Sequence, residues 1–188
     1  LSYLLVPQWF FSIYAGWVGY YSLHQAGFVF LLSSVLIYAR FIEPHQIHVQ
    51  HHQYRLNSER EFHQAIKVAL VADMHVGLFS GHERQLKSMV KKLNQAQPDL
   101  VVVAGDWTYE PENRLVQELE VLKQIEAPVY SVPGNHDEQY PGPPIQTLLS
   151  QALEQNNVMD IEGKIVDFDE FRLIGIGDLW AGKANMRF

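Results

Sequence analysis

Asp73 and His75 stand one residue apart at the end of the apolar run 67–72, and two later apolar runs end in similar groups. Residues 100–104 run into Gly105-Asp106, and 129–132 run into Pro133-Gly134-Asn135-His136-Asp137. Carboxylate, imidazole and carboxamide side chains offer hard oxygen and borderline nitrogen ligands, which suit Mn, Fe or Zn better than soft metals. A carboxylate placed as Asp106 is, on a neighbouring strand, can bridge two ions about 3.5–4 Å apart. Such a pair lowers the pKa of a shared water and clamps a phosphate for in-line displacement. His136 is then a candidate general acid, and Asp137 beside it a carboxylate to orient it. Each group alone has an ordinary structural explanation, since Gly-Asp after a strand is often a turn and Gly-Asn-His can be a loop with left-handed Asn. Recurrence at three successive strand ends is what a site requires.

Those residues need a sheet to hold them. The three runs are largely apolar, Lys67 and Ser131 apart, as strands of a parallel sheet buried on both faces are. Open α/β sheets bind ligands beyond the carboxyl ends of their strands, where all three groups fall. Strand alternation predicts that Asp73 and His75 point the same way. Leu86, Met89, Val90 and Leu93 recur at helical spacing to about Gln97, after a Ser80/Glu83 capping pair and before Pro98-Asp99. Pro111 opens a second helix carrying Leu115, Leu119, Leu122 and Ile125, and Pro128 introduces the third strand. A βαβαβ unit with right-handed crossovers follows. Farther on, the rigid loop at 141–144 leads into a helix over 145–155, and 164–168 with 171–177 reads as a hairpin turning at Asp169-Glu170. Trp107 and Trp180 are expected to pack beneath loops rather than to line a pocket.

Asp73-Met74-His75, Gly105-Asp106 and Gly134-Asn135-His136-Asp137 resemble the first three signature blocks of the calcineurin-like metallophosphoesterases, over residues from about 66 to 188. The resemblance implies an α/β fold, the N-terminal part of a four-layer αββα sandwich at 65–188, with two divalent metal ions (Mn, Fe or Zn). It further implies that Asp73 and His75 bind the first ion, Asp106 bridges, Asn135 binds the second, and His136 contacts the phosphate and protonates the leaving group. The family also uses a further His and a Gly-His-x-His block, yet no histidine follows His136. The remaining ligands are therefore expected beyond Phe188, and the initial Leu1 likewise reads as the start of a fragment. Trp107-Thr108-Tyr109 after Asp106 is unlike the Asp-x-x-Asp-Arg pattern of the Ser/Thr protein phosphatases. It looks like the bacterial membrane-anchored branch, whose relatives include phosphodiesterases and enzymes cleaving the pyrophosphate of lipid-linked sugar nucleotides. Hydrolysis of a phosphomonoester, phosphodiester or pyrophosphate bond is the expected activity. A nuclease of the same superfamily and a catalytically incomplete membrane scaffold are the alternatives.

Residues 1–39 contain no Lys, Arg, Asp or Glu and are crowded with large apolar side chains. A span takes about 20 apolar residues, so this stretch, broken at His24-Gln25, predicts two transmembrane helices within 1–42, near 1–23 and 26–41. The competing reading is a buried hairpin of a soluble protein, which Pro7 and Gln8 favour. Arg40 is the first charge, and Arg55, Arg60 and Lys67 follow it while the turn between the spans has none, so the positive-inside rule places the later domain in the cytoplasm, on a bacterial inner membrane. Residues 43–64 form a linker in which Ile47, Val49, His51 and Gln53 alternate like an exposed edge strand paired with 67–72. His48 and His52 would share a face there only if the linker were helical. Net charge is −7, with the acidic excess after residue 60, which makes nucleic acid a poor partner. A phosphoester substrate is expected, and the anchor suggests a lipid-linked one. The absence of cysteine excludes disulfides and thiolate ligands.

Overall fold

The structure is a computed structural model and describes residues 5–19, 23–55, 65–77, 82–109, 115–138 and 145–184. The chain divides into two compact units, Leu1–Ile47 and His48–Phe188.

In the first unit, α1 (Leu5–Trp17) and α2 (Leu23–Phe41) form an antiparallel helical hairpin. Trp9 Nε1 donates to Ser34 Oγ at 2.9 Å, and the Trp9 ring lies 5.1 Å from Phe30. Nearer the turn, a Cβ on Gly16 would come within 2.8 Å of Ala26 Cβ, so the backbones touch there. Ser12, Ala15, Ala26 and Ser33 are buried, while Phe10, Phe11, Tyr14, Trp17, Phe28 and Leu31 face outward. A hairpin folded in water would bury the large side chains; small residues inside and large apolar ones outside is the arrangement of helices packed in lipid. The segment His24–His45 is long and apolar enough to cross a membrane, with mean hydropathy 1.6. Where two spans are expected, it is the one such helix among the described residues, because α1 has 13 residues against the about 20 a span requires.

The second unit is built on a parallel four-stranded sheet in the order β1 (Val68–Val71), β2 (Leu100–Ala104), β3 (Val129–Val132), β4 (Val158–Asp160). Helix α3 (His82–Ala96) joins β1 to β2 and buries Leu86, Met89, Val90 and Leu93, the stripe expected from their spacing. Gln97, at φ 49°, ends it, and Pro98 prevents its continuing. Asp99 then fastens the entry to β2 onto β1: its N–H donates to Lys67 O at 2.8 Å, and its carboxylate accepts the Lys67 N–H at 2.6 Å. Among the described residues the second crossover is not the one continuous helix expected to run through Ile125. It is a single α turn, α4 (Leu115–Glu118), followed by a 3₁₀ segment, Glu120–Gln124, which together still bury Leu115, Leu119 and Leu122. Helix α5 (Gln146–Gln155) packs on β4 and on α4.

Alternation gives the sheet two faces. Val101, Val103, Val129 and Val158 point to one and are buried. On the other, Leu100 and Tyr130 form a core with Ile161 that is covered by Phe168, Phe171 and Leu173 of the hairpin β5 (Ile165–Asp167) and β6 (Arg172–Ile174). The Phe168 and Phe171 rings stack 4.4 Å apart across the predicted turn. On this face Val68 and Leu70 of β1 stay open, Leu70 being 71% exposed. The mixed α/β architecture and parallel sheet are as expected.

Residues 46–55 have no regular structure, contrary to the edge strand expected there. Alternation of four side chains does not make a strand when their apolar members, such as Val49, find no face to cover. The predicted cap at Ser80, the helix start at Pro111, His63 and the loop 141–144 lie outside the described residues.

Candidate metal centre

β1 ends at Val71, and the chain then runs alongside the segment after β2 rather than continuing as a regular strand. Asp73 N–H donates to Gly105 O at 3.2 Å, His75 N–H to Asp106 O at 2.9 Å, and Val76 N–H to Trp107 O at 2.8 Å. Tyr109 N–H returns to Val76 O at 2.9 Å. Asp73, His75 and Asp106 all have left-handed backbones, at φ 55°, 46° and 55°. Simple strand alternation therefore does not aim Asp73 and His75; left-handed turns do, while Met74 and Val76 between and after them are buried. Such conformations are uncommon for residues other than glycine, and they cluster at functional sites.

The third strand end is pressed against the second. A Cβ on Gly105 would lie 2.5 Å from Gly134 N, and one on Gly134 would overlap the Asp106 carboxylate. Glycine is required at both positions by this contact. His136 N–H donates to Asp106 Oδ1 at 3.0 Å, while Asp106 Oδ2 lies 3.4 Å from His75 Nε2. One potential ligand atom from each of His75, Asp106 and His136 falls within 4.8 Å of the others. The two imidazoles meet edge to face, with centroids 4.9 Å apart.

His75 Nε2 is buried and, among the described residues, has no hydrogen-bond partner. A buried polar atom left unpaired costs about 1–3 kcal/mol, and here it faces a carboxylate in a cluster of borderline and hard donors. These residues fit a divalent cation. Asp73 is exposed on the same loop and stands outside the three-residue group, whereas His136, expected as an acid, stands within it. Asn135 is half-buried in the turn after Gly134, beside His136.

Asp137 is placed otherwise than expected. Its carboxylate is fully buried and accepts four hydrogen bonds, none from His136: Trp107 N–H at 3.1 Å, Thr108 N–H at 3.0 Å, Thr108 Oγ1 at 3.0 Å and Gly134 N–H at 2.9 Å. Burial raises its pKa above the ordinary carboxylate range, against the pull of these bonds. Asp137 thus joins the loop of Asp106 to the loop of Asn135 and His136. Trp107 packs fully buried beneath that junction, as expected, and its Nε1–H donates to Ser131 Oγ at 2.7 Å. Trp180 does not: it sits in the turn around residues 179–182 and is 87% exposed. Sequence reasoning missed Tyr109, whose ring lies 4.9 Å from His136 and 5.9 Å from His75. Its position three residues after Asp106 was the available signal. It also missed the link from Lys183 Nζ to Glu138 Oε1 at 2.5 Å and Glu162 Oε2 at 3.6 Å, which ties the His136 turn to the C-terminal stretch.

A parallel sheet whose strand ends gather His and Asp ligand atoms within 4.8 Å of one another has the makings of a metal site. Residues 66–183 match the family model described as calcineurin-like phosphoesterase, and the chain belongs to that family. It is 28% identical to the uncharacterized metallophosphoesterase YkuE of Bacillus subtilis, over 53% of this chain and 36% of that protein. It is 27% identical to the uncharacterized metallophosphoesterase Cj0846 of Campylobacter jejuni, over 61% of this chain and 30% of the relative. A transmembrane protein with metallophosphoesterase domain from Danio rerio is 34% identical over 38% of this chain and 17% of its own length. The matches thus span about a third of these relatives or less.

Proposed function

We propose that this site is that of a dinuclear metallophosphoesterase anchored in a membrane by the N-terminal helices. The observation carrying the proposal is the unpartnered, buried His75 Nε2 facing Asp106 within the His75–Asp106–His136 group. His75 and Asp73 would hold one ion, Asn135 would offer its carboxamide oxygen to another, and Asp106 would serve both. Bound there, divalent ions activate a water and neutralise phosphate charge. The chain's own groups do the rest. Asp106 is fixed for its role by the His136 N–H on one oxygen, leaving the other toward His75. His136 binds a phosphate oxygen and passes a proton to the leaving-group oxygen as the P–O bond breaks. Asp137 positions both loops and moves no proton.

The substrate is a phosphomonoester, phosphodiester or pyrophosphate, and the inside-out burial of the hairpin favours a lipid-linked one met at the membrane surface. The domain faces the cytoplasm, on the charges that follow α2. Metal analysis of the full-length protein, with hydrolysis of bis(p-nitrophenyl) phosphate in Mn, tests the reading. Wild type should hold metal and turn over, and Asp106→Asn should lose both, because a neutral amide bridges two cations poorly. A folded wild type with neither metal nor turnover would mean a scaffold instead.

A further inference from the structure

Resting on that reading, we propose that Tyr109 is a positioning residue: its ring walls the His75–His136 pair and holds the His136 imidazole in the orientation from which it protonates the leaving group. Three rings meet here, with centroid separations of 4.9 Å (Tyr109–His136), 5.9 Å (Tyr109–His75) and 4.9 Å (His75–His136). Among the described residues no hydrogen bond holds the His136 ring; only its backbone N–H is tied, to Asp106. The terminal torsion of histidine is broad and roughly two-fold, so an imidazole without a wall samples orientations that cannot deliver a proton. Tyr109 can serve as that wall because its own backbone is fastened. Its N–H is bonded to Val76 O, and the two residues before it are fully buried and fastened to Asp137. A side chain on so rigid a support transmits its geometry to whatever it touches.

The ring, not the phenol, does the positioning, and the test follows from that. In the full-length protein, metal content and hydrolysis of bis(p-nitrophenyl) phosphate and diphenyl phosphate are measured for Tyr109→Leu, Tyr109→Phe, His136→Asn and the Leu/Asn double variant. General acids contribute about 10²–10⁴-fold, and partial misorientation should forfeit roughly tenfold of this on the phenyl ester, whose leaving group needs the proton. Tyr109→Leu should lose less than about twofold on the nitrophenyl ester with metal content unchanged, and Tyr109→Phe should recover the phenyl rate. In the His136→Asn background, Tyr109→Leu should add nothing, since both changes remove one interaction. Equal losses on the two esters, a further loss in the double variant, or a metal-depleted Tyr109→Phe each overturns the inference. A wild type that hydrolyses neither ester would fail the reading of the site itself, a different result from an active wild type indifferent to Tyr109.

Discussion

Thr108 gives the carboxylate of Asp137 two hydrogen bonds, one from its backbone N–H and one from its hydroxyl, each 3.0 Å long. With Trp107 and Gly134 completing the set, the acid that follows His136 is a fastener between loops. Thr108→Val removes one donor and should cost about 1 kcal/mol. Asp137→Ala strands three backbone N–H groups and should cost about 3 kcal/mol or more, at 1–3 kcal/mol for each unpaired buried group. Urea unfolding measures both. A variant of Asp137 with wild-type stability and lost turnover would return the carboxylate to a chemical role.

Gly134 should prove as sensitive as any ligand. Its Cβ, if present, would sit 2.7 Å from Asp106 Cγ and 2.5 Å from Asp106 N, inside the carboxylate proposed as a metal ligand. Gly134→Ala should therefore lower metal content along with stability, by roughly 1–3 kcal/mol for a forced overlap. Gly163→Ala is the control: its φ of 66° carries a backbone penalty, but its Cβ would meet nothing within 4 Å, so metal content should hold.

Phe10, Phe11, Phe28 and Leu31 of the first unit face outward, and the proposed membrane anchor rests on them. Membranes washed in alkaline carbonate should retain residues 1–64 expressed alone. Release of that segment into the supernatant would sink the membrane assignment.

The Lys183 cluster carries a pH signature. Burial lowers the Lys183 pKa, but its bond to Glu138 and the charges of Glu162 and Glu138 outweigh this and leave it raised. A raised amine pKa contributes stability that is whole below the ordinary lysine value and disappears as pH climbs through the folded one. With Lys183 side chain 36% exposed, the contribution is about 1 kcal/mol or less. Lys183→Met should be less stable than wild type at neutral pH, and the two should converge well above pH ~10.4, the ordinary lysine value. Glu162 has the same sign in a lower window: burial raises its pKa, so it too contributes stability at low pH that is lost as pH rises through the carboxylate range. A gap between wild type and Lys183→Met that persists undiminished at high pH would show that packing of the lysine stem, not charge, is responsible.

Much of this was legible in residue order because the informative segments are long relative to their period. The strands β1 and β2 are continuous Val, Leu and Ala, β3 begins and ends in Val, and α3 repeats its apolar stripe from Leu86 to Leu93. β4 was not legible: three residues with only Val158 inward carry no run, and the strand exists because β3 offers it a free edge. The role of Asp137 was misread for a related reason. Adjacency to His136 suggested partnership, but the turn closed by Asp137 N–H and Glu138 N–H on Gly134 O sends its side chain inward to donors 29 and 30 residues away. Trp180, expected beneath a loop, stays in solvent, where Asp178 Oδ1 caps a turn around it by accepting the Ala181 N–H at 2.8 Å.

The left-handed backbones of Asp73, His75 and Asp106 set evolution two opposed demands at the same three positions. Folding alone would favour glycine wherever φ is near 50°, because a Cβ there costs about 1 kcal/mol or more. Asp73→Gly or His75→Gly should therefore melt no lower than wild type in chelator, while being unable to hold the ion. A lineage released from the need for chemistry would be expected to lose these side chains early, since drift and stability would push them the same way, and a copy that still carries all three is under selection for something other than its fold.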